Sequence, residues 1–172
     1  MTMRKSACYP QALVIGYGND SRKDDGVGFC VASRLRERTG RLPLDLESDG
    51  LDDLGESPHV IFVHQLTPEL VELIAQHDVV VFVDAHVGEM YPEPIRIVGV
   101  EAKPSVGFVS HIISPGTIIA MAEALYGQAP QAYLVSVRGH DFDFGTTLSP
   151  ETQALVDEAV EHVWNLIFET RL

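Results

Sequence analysis

Polar residues that follow apolar runs supply this chain's candidate chemistry. Gly16-Tyr17-Gly18-Asn19 comes directly after the run at 12–15, and Asp24-Asp25-Gly26-Val27-Gly28 then opens an amphipathic stretch. Asp84-Ala85-His86 closes the run VVVFV at 79–83, His64-Gln65-Leu66-Thr67 follows the run at 60–63, and Ser110-His111 precedes Ser114-Pro115. In open parallel sheets, ligands bind beyond the carboxyl ends of the strands. Such a sheet brings Asp25, Asp84 and His111 to one edge although they lie far apart in the chain. Two carboxylates and an imidazole form an oxygen-rich donor set with open positions, suited to a first-row divalent ion such as nickel or zinc. The thiolates of a structural zinc site are missing from this set.

Each of these residues also has a plainer use. Asp24 and Asp25 serve equally as a helix cap and dipole partner, worth ~1 kcal/mol. Asp84 is harder to explain that way, because a carboxylate at the end of an apolar run is costly to desolvate and calls for a partner, a metal or a catalytic duty. His111 alone reads as readily as a hydrogen-bonded loop histidine. The other histidines show no HExxH spacing, and His59 and His64, five apart, fall on opposite faces of a strand. His86 is the next imidazole to consider, being so near Asp84. Gly16 and Gly18 permit a tight turn, and Gly26 and Gly28 permit close approach of the helix start.

The elements that would position these groups are legible as alternating runs. Residues 12–15, 60–63, 79–83, 95–100 and 133–137 are short, apolar and β-rich, which predicts five strands. The runs at 12–15 and 79–83 are apolar at nearly every position, as in strands covered on both faces. Helical periods separate them: Val27, Cys30, Val31 and Leu35 form one stripe, with Ser33, Arg36 and Glu37 off it. Val156, Ala159, Val160, Val163 and Ile167 form another, with Asp157, Glu158 and Glu161 on the wet side. Thr67-Pro68-Glu69, Ser114-Pro115 and Ser149-Pro150-Glu151 each read as a hydroxyl N-cap followed by proline. This rhythm predicts a single-domain, three-layer α/β/α sandwich with a mostly parallel five-stranded sheet. No crossover helix leads into 95–100, which leaves that strand free to run antiparallel. The acidic stretch 47–58 reads as a surface loop.

Composition narrows the function classes. The 172 residues suit one domain, with a core at about 12–168. Twelve Lys and Arg against 25 Asp and Glu leave a net charge of −13, which disfavours nucleic acid and anionic lipid as partners. No apolar span reaches the roughly 18 residues of a membrane helix, and the N-terminal stretch lacks a signal-peptide core, so a soluble, cytoplasmic protein is expected. Cys8 and Cys30 form no CxxC and are expected as free thiols.

Taken in order, Gly16-Tyr17-Gly18-Asn19, Asp24-Asp25-Gly26-Val27-Gly28, Asp84-Ala85, Ser110-His111 and the Pro115 helix resemble the hydrogenase maturation proteases over about residues 12–168. Members of that family remove a C-terminal extension from the nickel-iron hydrogenase large-subunit precursor once nickel is in place. The resemblance implies Asp25, Asp84 and His111 as the catalytic, metal-contacting set. It places Gly18, Asn19, Asp24, His64 and Gln65 on the substrate side. It also implies that nickel arrives with the substrate and that the isolated protein holds no metal of its own. Many relatives carry Asp-Gly-Gly-Thr where this chain has His64-Gln65-Leu66-Thr67, a variant that resembles the branch serving soluble, bidirectional or NAD-linked hydrogenases. Two other readings compete. A dinucleotide-binding oxidoreductase would use Gly16 and Gly18, but Ser21 stands at the third glycine position. A receiver-like signalling module would use Asp84 as phosphoacceptor with Asp24 and Asp25 as its acids, but Arg138-Gly139-His140 stands where a lysine is expected.

Overall fold

Residues 12 to 15 are all apolar because both faces of the strand they begin are covered. In the computed structural model, which describes residues 10–45, 47–104 and 112–169, β1 (Ala12–Tyr17) lies inside a five-stranded sheet with β2 (His59–Val63), β3 (Val79–Val87), β4 (Ile95–Gly99) and β5 (Gln131–Gly139). The spatial order is β2-β1-β3-β5-β4. Three neighbouring pairs are parallel, and β4 runs antiparallel to β5. The short connection after β3 accounts for that reversal, since a parallel neighbour would need a crossover of a dozen or more residues.

Helices complete the other two layers. On one face α1 (Val27–Arg38) and α5 (Val156–Phe168) bury Val27, Val31, Leu35, Val156, Val160 and Val163 against Val14, Val81 and Val135. On the other, α2 (Leu70–Ala75) and α3 (Pro115–Tyr126) bury Leu70, Ile74, Ile118 and Ile119 against Leu13, Ile15, Val80 and Phe82. The stripe expected on α5 is buried at every position named. The three-layer α/β/α sandwich and its largely parallel sheet are therefore as the residue pattern predicted. Among the described residues no helix is long and apolar enough to cross a membrane. Cys30 is a free thiol, and Cys8 lies outside the described residues.

Two local expectations need correction. Ser114 and Ser149 cap α3 and α4 (Pro150–Gln153), each hydroxyl accepting from a backbone N–H three residues on, at 3.2 and 3.3 Å. Thr67 caps no helix, because Pro68 and Glu69 form a turn and α2 begins only at Leu70, whose N–H donates to the Thr67 carbonyl at 3.1 Å. Arg36, which falls off the apolar stripe of α1, is nonetheless only 2% exposed. The acidic loop folds over it: Nη2 bonds Asp53 Oδ2 at 2.6 Å, Nε bonds the Leu42 carbonyl at 2.8 Å, and Nη1 bonds the Asp53 carbonyl at 3.1 Å. A planar guanidinium with that many acceptors can be enclosed where its position on the helix alone would leave it wet.

Candidate functional site

The sheet is stepped at its carboxyl edge. Pairing of β1 with β3 ends at Gly16 opposite Val83, whereas β3 and β5 continue to Val87 opposite Gly139. Asp84 is thus not the end of its strand, as the apolar run suggested. It lies within β3, paired with Ser136, at the point where β1 has turned away. The chain leaves β1 for β2 on one side and returns to β3 on the other, so this step is the crevice where open α/β sheets place ligands.

Glycines bring the first acidic cluster to the step. A Cβ on Gly16 would stand 2.3 Å from the Gly28 carbonyl oxygen, and one on Gly28 would stand 2.8 Å from the Val83 oxygen. The start of α1 therefore rests directly on the ends of β1 and β3. Gly18 has φ +140, and a Cβ there would stand 2.2 Å from the Asp25 carbonyl oxygen. The loop is tied down by the Gly18 N–H to the Val63 carbonyl at 3.2 Å and the Asn19 N–H to Asp25 Oδ2 at 2.9 Å. Gly16→Ala is expected to cost ~3 kcal/mol, because backbone rather than a flexible side chain must move. Urea unfolding with an unchanged midpoint would contradict this packing.

Asp25 and Asp84 come to the step from two separate elements, near enough for the charge of Asp25 to act on the Asp84 carboxyl. Asp84 Oδ1 accepts the Ala85 N–H at 2.7 Å, and the carboxylate also takes the Tyr17 hydroxyl. Burial pushes the Asp84 carboxyl up to about 6, outweighing those two bonds, and the neighbouring charge of Asp25 pushes the same way. Burial and the Asp84 charge raise the Tyr17 hydroxyl above its ordinary range, so it remains a neutral donor. Tyr17 is the site residue that sequence reasoning passed over. Its signal was present, since it follows Gly16 as Asp84 follows Val83, but only the β1–β3 register makes the two neighbours.

The adjacent acid has a different environment. Asp24 is fully enclosed and accepts five hydrogen bonds, from the N–H groups of His140, Asp141 and Ser149 and the hydroxyls of Ser149 and Thr152, all between 2.7 and 2.9 Å. Burial alone would raise its pKa, but the bonds from Ser149, His140 and Asp141 outweigh it and lower the pKa to about 2. The substrate contact expected of Asp24 gives way to a framework role. It fastens the 3-10 turn Lys23–Gly26, which carries Asp25, to the chain beyond β5 and to α4.

The remaining candidates are dispersed. His64 and Gln65 are exposed beyond β2 and line a cavity of about 420 Å³ with Asp20, Phe62, Asp45 and Asp49. His64 Nδ1 stands 3.9 Å from Asp20 Oδ1. His86 is internal at 5% exposure, its Nδ1 2.8 Å from Ser136 Oγ and its ring against Tyr91. Ser110 and His111 lie outside the described residues. Among the described residues no three His, Cys, Asp or Glu side chains come close enough to hold a metal. The described part of the site is therefore a carboxylate pair, which needs a further donor to close around an ion.

No protein-family model matches the chain, and no curated protein sequence does. Solved structures do. The chain is similar to the NiFe hydrogenase maturation protease HycI from Thermococcus kodakarensis KOD1, at 21% identity and TM-score 0.63, covering 94% of each chain. It is similar to HybD, a NiFe hydrogenase maturation protease from Thermococcus kodakarensis, at 20% identity and TM-score 0.61, covering 91% of this chain and 99% of that one. The hydrogenase maturating endopeptidase HybD from E. coli matches at 18% identity and TM-score 0.62, covering 89% of each. The chain thus has the fold of the hydrogenase maturation proteases along nearly its whole length.

Proposed function

We propose that this protein is an endopeptidase that removes the C-terminal extension of a nickel-iron hydrogenase large-subunit precursor after nickel insertion. The observation that carries this reading is the Asp25–Asp84 pair: two carboxylates from separate elements, set at the crevice of this particular fold, with the charge of Asp25 among the influences that raise the Asp84 carboxyl. Two carboxylates brought together at a crevice suit a site completed by a cation. Nickel already seated in the precursor is that cation, and it belongs to the substrate. His111 is the third donor in this reading, by its place ahead of α3.

In the bound complex the metal would polarise the scissile carbonyl or activate water. The chain's own residues would hold the reacting group. Asp25 and Asp84 supply the negative pole, Tyr17 keeps Asp84 oriented by its hydroxyl, and His64 or a nearby carboxylate moves the proton. Gly18 and Asn19 hold Asp25 in place, and Gln65 lies beside His64 on the substrate side. The His64-Gln65-Leu66 variant favours a soluble, cytoplasmic hydrogenase as the source of the precursor. A receiver-like use of Asp84 is disfavoured, since Asp24, which would have to face a metal, has its carboxylate engaged internally. A dinucleotide has no third glycine to approach, because Ser21 occupies that place.

Coexpression with a candidate precursor, with and without nickel, tests the reading. The precursor's intact mass is expected to fall by its tail only when both the protein and nickel are present. Full-length precursor under all conditions would reject the assignment.

A further inference from the structure

Beyond the carboxylate pair, the same edge presents apolar side chains to water. Phe144 is 90% exposed, and Val87 and Met90 are each 60% exposed. Single exposed apolar residues are ordinary on protein surfaces, but the placement and bracing of these are not. Val87 pairs with Gly139, so the loop holding Met90 and the loop holding Phe144 leave the sheet side by side at its carboxyl end.

The Phe144 loop is held firmly. The Gly145 N–H donates to the Ser21 carbonyl at 3.0 Å, and the Gly145 carbonyl accepts the Lys23 N–H at 2.8 Å. Arg22 Nε bonds the Phe142 carbonyl at 3.1 Å, and Lys23 Nζ pairs with Asp141 Oδ2 at 2.5 Å. Lys23 itself takes a left-handed φ of 41 to meet this loop. Every one of these contacts is to the segment that leads into or forms the turn Lys23–Gly26, which carries Asp25. The backbone on either side of Phe144 is thereby fixed relative to the turn that carries Asp25, while the Phe144 side chain stands in solvent.

We infer that Phe144, with Met90 and Val87, is the anchor on which the substrate protein docks, setting its nickel-bearing end over Asp25 and Asp84. The inference rests on the peptidase reading. An aromatic presented on a braced loop spares the entropy of ordering that loop's backbone on binding and is the kind of residue that carries interface energy. Exposed Glu89 and Asp143 flank these residues in the chain, and the protein's net charge is −13. The complementary occupant is a precursor surface with an apolar pocket rimmed by basic side chains. An acidic second copy of this chain is the poorer fit.

The test varies the concentration of nickel-loaded precursor and compares wild type with Phe144→Ser and with Phe144→Ser/Met90→Ser. KM is expected to rise about tenfold, kcat to stay within about twofold, and the melting temperature to be unchanged. Wild type that cleaves with a KM these variants share would overturn the docking inference and leave the peptidase reading standing. Wild type that leaves the loaded precursor intact would overturn the peptidase reading and this inference with it. Light scattering that shows a wild-type dimer dissociated by Phe144→Ser would assign the patch to a second copy instead.

Discussion

Asp84→Asn is expected to end processing of a nickel-loaded precursor and, at neutral pH, to make the folded protein more stable than wild type. Both effects arise from the same environment. The Asp84 carboxyl is raised to about 6 from its ordinary 3.8, first by burial and then by Asp25, against the opposing bonds of Tyr17 and the Ala85 N–H. Since the folded state binds this proton more tightly than the unfolded chain does, the contribution of Asp84 to stability is most favourable at low pH. It declines as pH rises from about 4 through 6, and the cost above that range is on the order of 3 kcal/mol. An asparagine keeps the shape and a hydrogen bond to Tyr17 without the charge. Allowing for its weaker acceptor, a gain of ~2 kcal/mol above pH 7 is expected, or several degrees in melting temperature. The gain should vanish near pH 4. Melting curves from pH 4 to 8 check this, and parallel profiles for the two proteins would show that Asp84 is not held as described.

Asp24→Asn should have the opposite effect, although the residue stands only one position from Asp25. Five donors converge on an enclosed carboxylate, and an amide would turn an NH₂ group toward donors. A loss of ~3–5 kcal/mol at pH 7 is expected. Here the folded pKa is depressed to about 2. The stabilisation is complete above the unfolded value of 3.8 and disappears as pH falls toward 2, and it amounts to ~2 kcal/mol. The gap between wild type and variant in urea should therefore narrow at pH 3. A variant within 1 kcal/mol of wild type at pH 7 would refute the framework role. The neighbouring Asp25→Asn, by contrast, should fold normally and fail in processing.

The contrast between Asp24 and Asp25 marks where sequence reading stopped. The strands, the three layers and the reversed β4 were legible because hydrophobic period and loop length determine them. The edge on which Asp84 falls was legible too, since a carboxylate closing VVVFV has few places to go. Which of two adjacent acids turns inward was not legible, because Asp24's partners Ser149 and Thr152 lie more than a hundred residues on. Arg36 escaped for the same reason: helical period put it off the apolar stripe, and only the fold of the acidic loop encloses it. Tyr17 looked like filler between two glycines until the register of β1 on β3 set it beside Asp84. Local patterns specify elements, and long-range pairings specify which polar groups meet.

The most direct test is the intact mass of a purified precursor after incubation with wild type, Asp25→Asn and Asp84→Asn, each with nickel-loaded and with metal-free precursor. The account predicts loss of the C-terminal tail in one combination alone, wild type with loaded precursor, while both variants remain folded by circular dichroism. Complete cleavage by both variants would contradict it.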